Sequence, residues 1–183
     1  MRLLEDTARL ATLAEQFLDL QRLNHQFERA LVNVVDVARQ VVSDLAPLAI
    51  AAGYEPSFET DEEVIEVVGD RAALERAITN LVQNAIQHGG RRGIIAVHVS
   101  QTTGITVSDE GEGIPPGERE RIFEPFHRLK NRSRGFGLGL NLVQEIIQLH
   151  GGQVRVLEGR AGGAAFRLTF PPTPRPIGGA PRS

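Results

Sequence analysis

Apolar residues recur every seven positions at the start of the chain. Leu3, Leu10 and Phe17 form one row, and Leu13, Leu20 and Phe27 a second row offset by three. Polar and charged residues lie between them, and no Gly or Pro interrupts the run. This a/d seam predicts one long helix over residues 1–28, either bundled with partner helices or lying on its own globular domain. The pattern then changes. Ala30–Val35 is a short β-rich stretch, and Asp36 offers an N-cap for a helix that Gly53 stops near Ala52. Strands are expected at 55–60 and 64–68, separated by the acidic turn Asp61-Glu62-Glu63. Asp70 is placed to cap a helix from Arg71 to about Gln87, with Leu74, Ile78, Leu81 and Ala85 at helical spacing and Gly89-Gly90 after it.

The second half alternates more tightly. Residues 94–100 and 104–108 read as a hairpin, followed by Gly- and Pro-containing loop sequence over 110–117. A short helix near 118–123 and a polar loop over 131–137 come next. Helical sequence at 138–149 ends at Gly151-Gly152, and strands at 153–157 and 164–170 follow. Residues 171–183 are rich in Pro and Gly and are expected to be disordered. These elements predict an α/β fold, a two-layer sandwich in which a sheet is covered by helices on one face, preceded by the long helix. The domain scheme is therefore 1–28, 29–170 and a tail over 171–183.

Composition narrows the chemistry. The chain has 183 residues, 41% of them apolar, enough for one ordinary core. The net charge of −3 gives no electrostatic reason to bind nucleic acid. There is no cysteine, which excludes disulfides and thiolate metal sites and fits a cytoplasmic setting. No apolar run is long enough to insert in a membrane. Lys130 is the only lysine and Asn131 follows it, so a Gly-Lys-Ser/Thr phosphate loop is impossible.

Four clusters carry candidate chemistry. Asn80 and Asn84 stand at i and i+4 of a helix, within Asn80-Leu-Val-Gln-Asn84-Ala-Ile-Gln87-His88, so both amides project from one face. An amide oxygen is a hard, neutral ligand suited to Mg2+; surface or capping asparagines would look the same in isolation. Asp109-Glu-Gly111-Glu-Gly113-Ile114-Pro115 follows a strand. A carboxylate there accepts a hydrogen bond from the amino group of adenine and rejects guanine, which presents an acceptor. A plain Gly-rich turn is the alternative. In Phe123-Glu-Pro-Phe126-His-Arg128 both rings are expected to pack in the core. Arg128 is there either to reach a triphosphate or to be solvated. Gly135-Phe-Gly137-Leu138-Gly139-Leu140 enters a helix, where backbone N–H groups suit a phosphate. Its spacing fails the dinucleotide fingerprint.

In this order the four clusters resemble the N box, first glycine box, F box and second glycine box of sensor histidine kinases. The resemblance covers residues 30–170, and the helix before it resembles the second helix of a dimerisation and phosphotransfer domain. It implies an ATPase fold shared with gyrase and heat-shock chaperones, with a mixed sheet, and it implies ATP and Mg2+ as ligands. Asn84 would ligate Mg2+, with Asn80 supporting it. Asp109 would bind the adenine amino group, and Gly111, Gly113 and Ile114 would shape the base pocket. Gly135, Gly137 and Gly139, with Leu138 and Leu140, would form and hinge a lid over the phosphates. His88 would lie near the nucleotide, and Gln87 stands where the family often has a lysine. Arg128, Lys130, Arg132 and Arg134 would restore the missing positive charge. Hydrolytic relatives carry a glutamate at the position of Asn80, so negligible hydrolysis is expected.

No acceptor histidine of the family's pattern is present. His25, His88, His98, His127 and His150 are the five histidines, and none is followed by Asp or Glu. The resemblance therefore implies a piece of a longer kinase rather than a natural split. The partners it implies are the kinase's own dimerisation domain, within a homodimer, and a response regulator; it allows a parent chain that is membrane-anchored, with this part cytoplasmic. An anti-sigma-type serine kinase, a non-enzymatic ATP-sensing module and a chaperone-like hydrolase are the rival readings.

Overall fold

A computed structural model of the chain describes residues 14, 18, 27–90, 92–127, 129 and 137–173. Ala14 and Leu18 are helical, and by Phe27–Arg29 the chain has left regular structure. The remainder of the expected seam, and the tail from residue 174, lie outside the described residues.

Strand β1 (Ala30–Asn33) leads directly into helix α1 (Val34–Ala51). The N-cap expected at Asp36 is instead Asn33. Its Oδ1 accepts the backbone N–H of Val35 at 3.2 Å and that of Ile65 at 3.1 Å. Val34 and Val35 are helical despite their β-branching because both are buried in the core, and tertiary packing outweighs a weak local preference. Strand β2 (Tyr54–Thr60) follows the turn at Gly53, and β3 (Glu66–Gly69) follows the acidic turn. Helix α2 (Arg71–His88) is capped by Asp70, whose Oδ1 accepts the N–H of Ala73 at 3.0 Å. The hairpin strands are β4 (Gly93–Ser100) and β5 (Gly104–Ser108). The expected helix near 118–123 is two separate 3-10 turns, Pro116–Glu118 and Arg121–Phe123. Helix α3 (Gly139–Leu149) and strands β6 (Gln153–Glu158) and β7 (Ala164–Thr169) complete the domain.

The strands form two sheets. β1 and β3 pair antiparallel in a small ribbon. The main sheet has the order β2-β4-β5-β7-β6, mixed because β2 and β4 run parallel. Helices α1, α2 and α3 pack on one of its faces. The core lies between the layers and includes Leu74, Ile78 and Leu81 of α2, Ile146 and Ile147 of α3, and Ile105, Phe166 and Leu168 of the sheet. The fold class read from the sequence is the one observed.

Candidate functional site

Helix α2 presents Asn80 and Asn84 on its part-buried side, while Gln87 and His88 at its end are exposed. The two amides differ in their surroundings. Asn80 Nδ2 donates to the carbonyl of Arg76 at 2.9 Å, which fixes the direction of its Oδ1. A Cβ built on Gly139 would lie 2.9 Å from that oxygen, so Asn80 closes against the first residue of α3. No described residue hydrogen-bonds the Asn84 side chain. Its amide oxygen is thus available, one turn further along α2.

Asp109 follows the end of β5 and is buried, with 6% of its surface exposed. Its backbone N–H donates to the carbonyl of Ala164 at 2.9 Å, extending the β5–β7 pairing by one residue. Its Oδ1 accepts the N–H of Gly111 at 2.8 Å and that of Ala164 at 3.3 Å. No described residue hydrogen-bonds Oδ2. One carboxylate oxygen is therefore spent on positioning the side chain and the other is left for a donor. The loop is packed too closely for side chains. A Cβ on Gly111 would come 2.8 Å from Gly89 Cα and 2.9 Å from Asp109 Oδ1. From the sequence, Gly89 is expected only as a helix stop, and Tyr54 carries no site signal. The structure puts Gly89 beside Asp109 and the Tyr54 ring beside Gly89, since a Cβ on Gly89 would lie 3.2 Å from Asp109 Cβ and 3.3 Å from that ring. Only the pairing of β2 with β4 brings Tyr54 here, and no local signal announces it. Gly113 packs against the carbonyl of Gly162, and Ile114 packs at the margin of the core.

The segment Phe123–His127 departs from expectation. Phe123 is buried and meets Phe166 edge-on at 6.4 Å between ring centres. Phe126 is not a core residue: 67% of its surface is exposed, and its φ of 65° turns the ring outward. Its backbone explains why. The N–H of Phe126 donates to the carbonyl of Gly137 at 3.1 Å, and that of His127 to Glu124 at 3.1 Å. These bonds select a tight turn that a core-directed ring could not follow. His127 Nε2 lies 2.7 Å from Glu118 Oε2, tying the turn to the first 3-10 helix. Asn141 Nδ2 of α3 donates to the carbonyl of Phe123 at 3.2 Å. Gly137 has a φ of 71°, and a Cβ there would collide with the His127 carbonyl, so glycine is required. Leu138 is buried, and Gly139 and Leu140 form the start of α3. Arg128, Lys130, Arg132, Arg134 and Gly135 lie outside the described residues.

The arrangement thus places the end of α2, the Asp109 loop and the start of α3 around one region. Residues 69–174 match the family model described as histidine kinase-, DNA gyrase B- and HSP90-like ATPase, a span of more than half the chain. The chain belongs to this ATPase family. Its relatives are sensor histidine kinases. It is 35% identical over 173 residues to the alginate biosynthesis sensor protein KinB of Pseudomonas aeruginosa, covering 91% of this chain and 29% of KinB. It is 30% identical over 152 residues to the adaptive-response sensory kinase SasA of Parasynechococcus marenigrum, covering 79% of this chain and 40% of SasA. The chain therefore spans well under half the length of these relatives. Among solved structures it resembles the nucleotide-free catalytic domain of the histidine kinase ThkA, with a TM-score of 0.71 and 32% identity over 79% of this chain and 95% of that one. It also resembles full-length ShkA in complex with AMPPNP, with a TM-score of 0.74 and 26% identity over 90% of this chain and 36% of ShkA. For an ATPase-family domain of this type the described helices include none long and apolar enough to cross a membrane.

Proposed function

We propose that this chain binds Mg–ATP and positions its γ-phosphate for transfer to a histidine carried by a dimerisation domain of the parent kinase. The single observation that supports this best is the divided role of Asp109. One oxygen is locked to backbone N–H groups and the other has no described partner, which suits the amino group of adenine. Gly89 and Gly111 pack backbone to backbone beside that carboxylate, which holds the loop close against the end of α2.

The donor set also fits Mg2+ in particular. Among the described residues there is no group of three or more His, Cys, Asp or Glu that could hold a metal. One free amide oxygen, on Asn84, suits an ion that takes few protein ligands and completes its octahedron with phosphates and water. When bound, Mg2+ supplies neutralisation of phosphate charge; the rest falls to the chain. Helix α3 offers its N-terminal N–H groups at Gly139 and Leu140. Arg128, Lys130, Arg132 and Arg134 would add charge, in a segment whose ends meet through the Phe126–Gly137 hydrogen bond. Asn80 is a neutral amide held by Arg76, so no described group at this position takes a proton from water. Transfer rather than hydrolysis follows.

On this reading the catalytic domain occupies residues 29–170, the parent is a homodimer working at the cytoplasmic side, and a response regulator receives the phosphoryl group. Calorimetry with Mg2+ and a non-hydrolysable ATP analogue tests it, followed by addition of a matching dimerisation domain with ATP. Heat of binding that disappears in Asn84→Ala, and acid-labile phosphate on the added domain, are the expected results. Acid-stable phosphate on a serine would point to a serine kinase. No heat on folded protein would end the proposal.

A further inference from the structure

Alternation along the strands sends Val97, Val107, Phe166 and Val156 toward the helices, where they are buried. The residues between them form the other face of the main sheet, which no described element covers. One row crosses that face from edge to edge. Glu59 of β2 pairs with His98 of β4, His98 with Thr106 of β5, Thr106 with Arg167 of β7, and Arg167 with Arg155 of β6. The row is acidic at one edge, where Asp61 also lies 3.2 Å from His98. It is cationic at the other.

The cationic end is not compensated among the described residues. Like charges directly opposite on an antiparallel pair repel, yet Arg155 and Arg167 face each other with no carboxylate partner among the described residues. Arg155 Nη2 donates only to Gln153 Oε1, at 3.1 Å. Arg167 Nε is shielded from solvent and has no hydrogen-bond partner, the one described side-chain nitrogen or oxygen in that condition.

We infer that the uncovered sheet face is a self-complementary docking surface for a second copy of this chain, related by a two-fold axis parallel to β5. Such an axis exchanges the two edges of the sheet. It puts Glu59 of each copy over Arg155 of the other, His98 with its Asp61 over Arg167, and Thr106 over Thr106. An axis perpendicular to the strands in the same plane would instead stack β2 on β2 and set like charges together. The next row supports close approach, because Ala96, Ser108 and Ala165 pair across its centre and are all small. The contact is isologous, so each favourable pair occurs twice.

Its size sets its strength. Five strands about 4.8 Å apart span roughly 19 Å, and strands of this length about 17 Å. The area falls below that of standard stable interfaces, so association is weak and screened by salt. It becomes populated when the copies are held together by another segment at roughly millimolar effective concentration.

The chain has no cysteine, so Thr106→Cys introduces a single thiol on the proposed axis. Across stacked sheets two such thiols would be about 10 Å apart, within reach of a short bis-maleimide. Cross-linked dimer is expected from the full chain at roughly millimolar concentration and low salt, and is lost at high salt. Adding Glu59→Arg or Arg155→Glu alone should weaken it at least about tenfold, since each reversal turns both symmetric attractions into repulsions. An equimolar mixture of the two reversed variants should cross-link again, because both pairs between positions 59 and 155 across that heterodimer are then opposite in charge. Rescue by mixing, or by combining both reversals in one chain, excludes unfolding as the cause. Absence of cross-linking, indifference to either reversal, or no rescue would overturn the inference. So would cross-linking that appears only after an acidic protein partner is added. None of these outcomes depends on nucleotide binding.

Discussion

His150 Nε2 accepts the backbone N–H of Asp70 at 3.0 Å, so the residue that ends α3 holds the residue that starts α2. The opposite ring nitrogen lies 2.7 Å from the Ile146 carbonyl and must carry the proton. The imidazole is thereby held as one neutral tautomer, buried, with Phe27 edge-on at 4.8 Å and Phe170 at 6.2 Å. Burial is the main cause of a pKa below the ordinary histidine value, with Arg29 adding to it; the Ile146 carbonyl and Asp70 oppose it. The folded state therefore binds fewer protons than the unfolded state. Its stabilising contribution is complete above the unfolded value of about 6.5 and is lost as pH falls through the lower folded value. Thermal melts should show Tm falling on acidification from neutral pH, and His150→Phe should flatten that part of the profile. His150→Ala should cost about 2–4 kcal/mol at neutral pH, from the cavity and the orphaned Asp70 N–H.

Gly111→Ala should destabilise the Asp109 loop. The added methyl would meet Gly89 Cα at 2.8 Å and Asp109 Oδ1 at 2.9 Å, and the first of these is backbone that cannot rotate away. A cost of about 1–3 kcal/mol is expected, as for other overpacked sites, measured by chemical denaturation. Gly117→Ala is the control, since a Cβ there meets nothing within 4 Å. Equal stability of the two variants would mean that the loop relaxes freely.

Local signals made most of this fold legible. Asp70 followed by apolar residues at helical spacing marked α2, and two short β-branched runs around Gly104 marked the hairpin. What failed were features decided by distant partners. Asn33 outcompetes Asp36 as a cap because its oxygen also satisfies the N–H of Ile65, thirty-two residues away. Two apolar rings three residues apart suggested a shared core, but the Gly137 carbonyl fixes a turn that sends only Phe123 inward. At the site, the order of motifs pointed to Asn84 and Asp109. The place of Tyr54 beside Gly89 depends on β2 lying beside β4, and periodicity carries no information about strand order.

Asn33→Ala should cost more than Asp36→Ala. Asn33 caps α1, bonds Ile65 and donates through Nδ2 to Asp36 Oδ2 at 3.0 Å and to the Glu63 carbonyl at 3.3 Å. Losing the cap alone is worth about 1 kcal/mol, and the orphaned Ile65 N–H adds to it. Asp36→Ala removes a charge from the first turn and one exposed hydrogen bond, worth about 0.3–1 kcal/mol. Urea denaturation of both variants checks the ranking, and the reverse order would return the cap to Asp36.

Asp109→Asn separates nucleotide recognition from folding. The amide keeps an oxygen for the N–H groups of Gly111 and Ala164, so the unliganded Tm should change little. It replaces the carboxylate's second oxygen with a donor, which would face the amino group of adenine. A hydrogen bond to a charged acceptor is lost and a donor–donor clash is gained, together about 2–4 kcal/mol, or roughly thirty- to a thousandfold in affinity for an ATP analogue. Guanine presents an acceptor at the corresponding position, so the preference for adenine over guanine should shrink at the same time. Calorimetry with both nucleotides reads this directly. A variant whose Tm falls steeply without nucleotide, and whose base preference is unaltered, would make Asp109 a structural anchor of the β5–β7 end and nothing more.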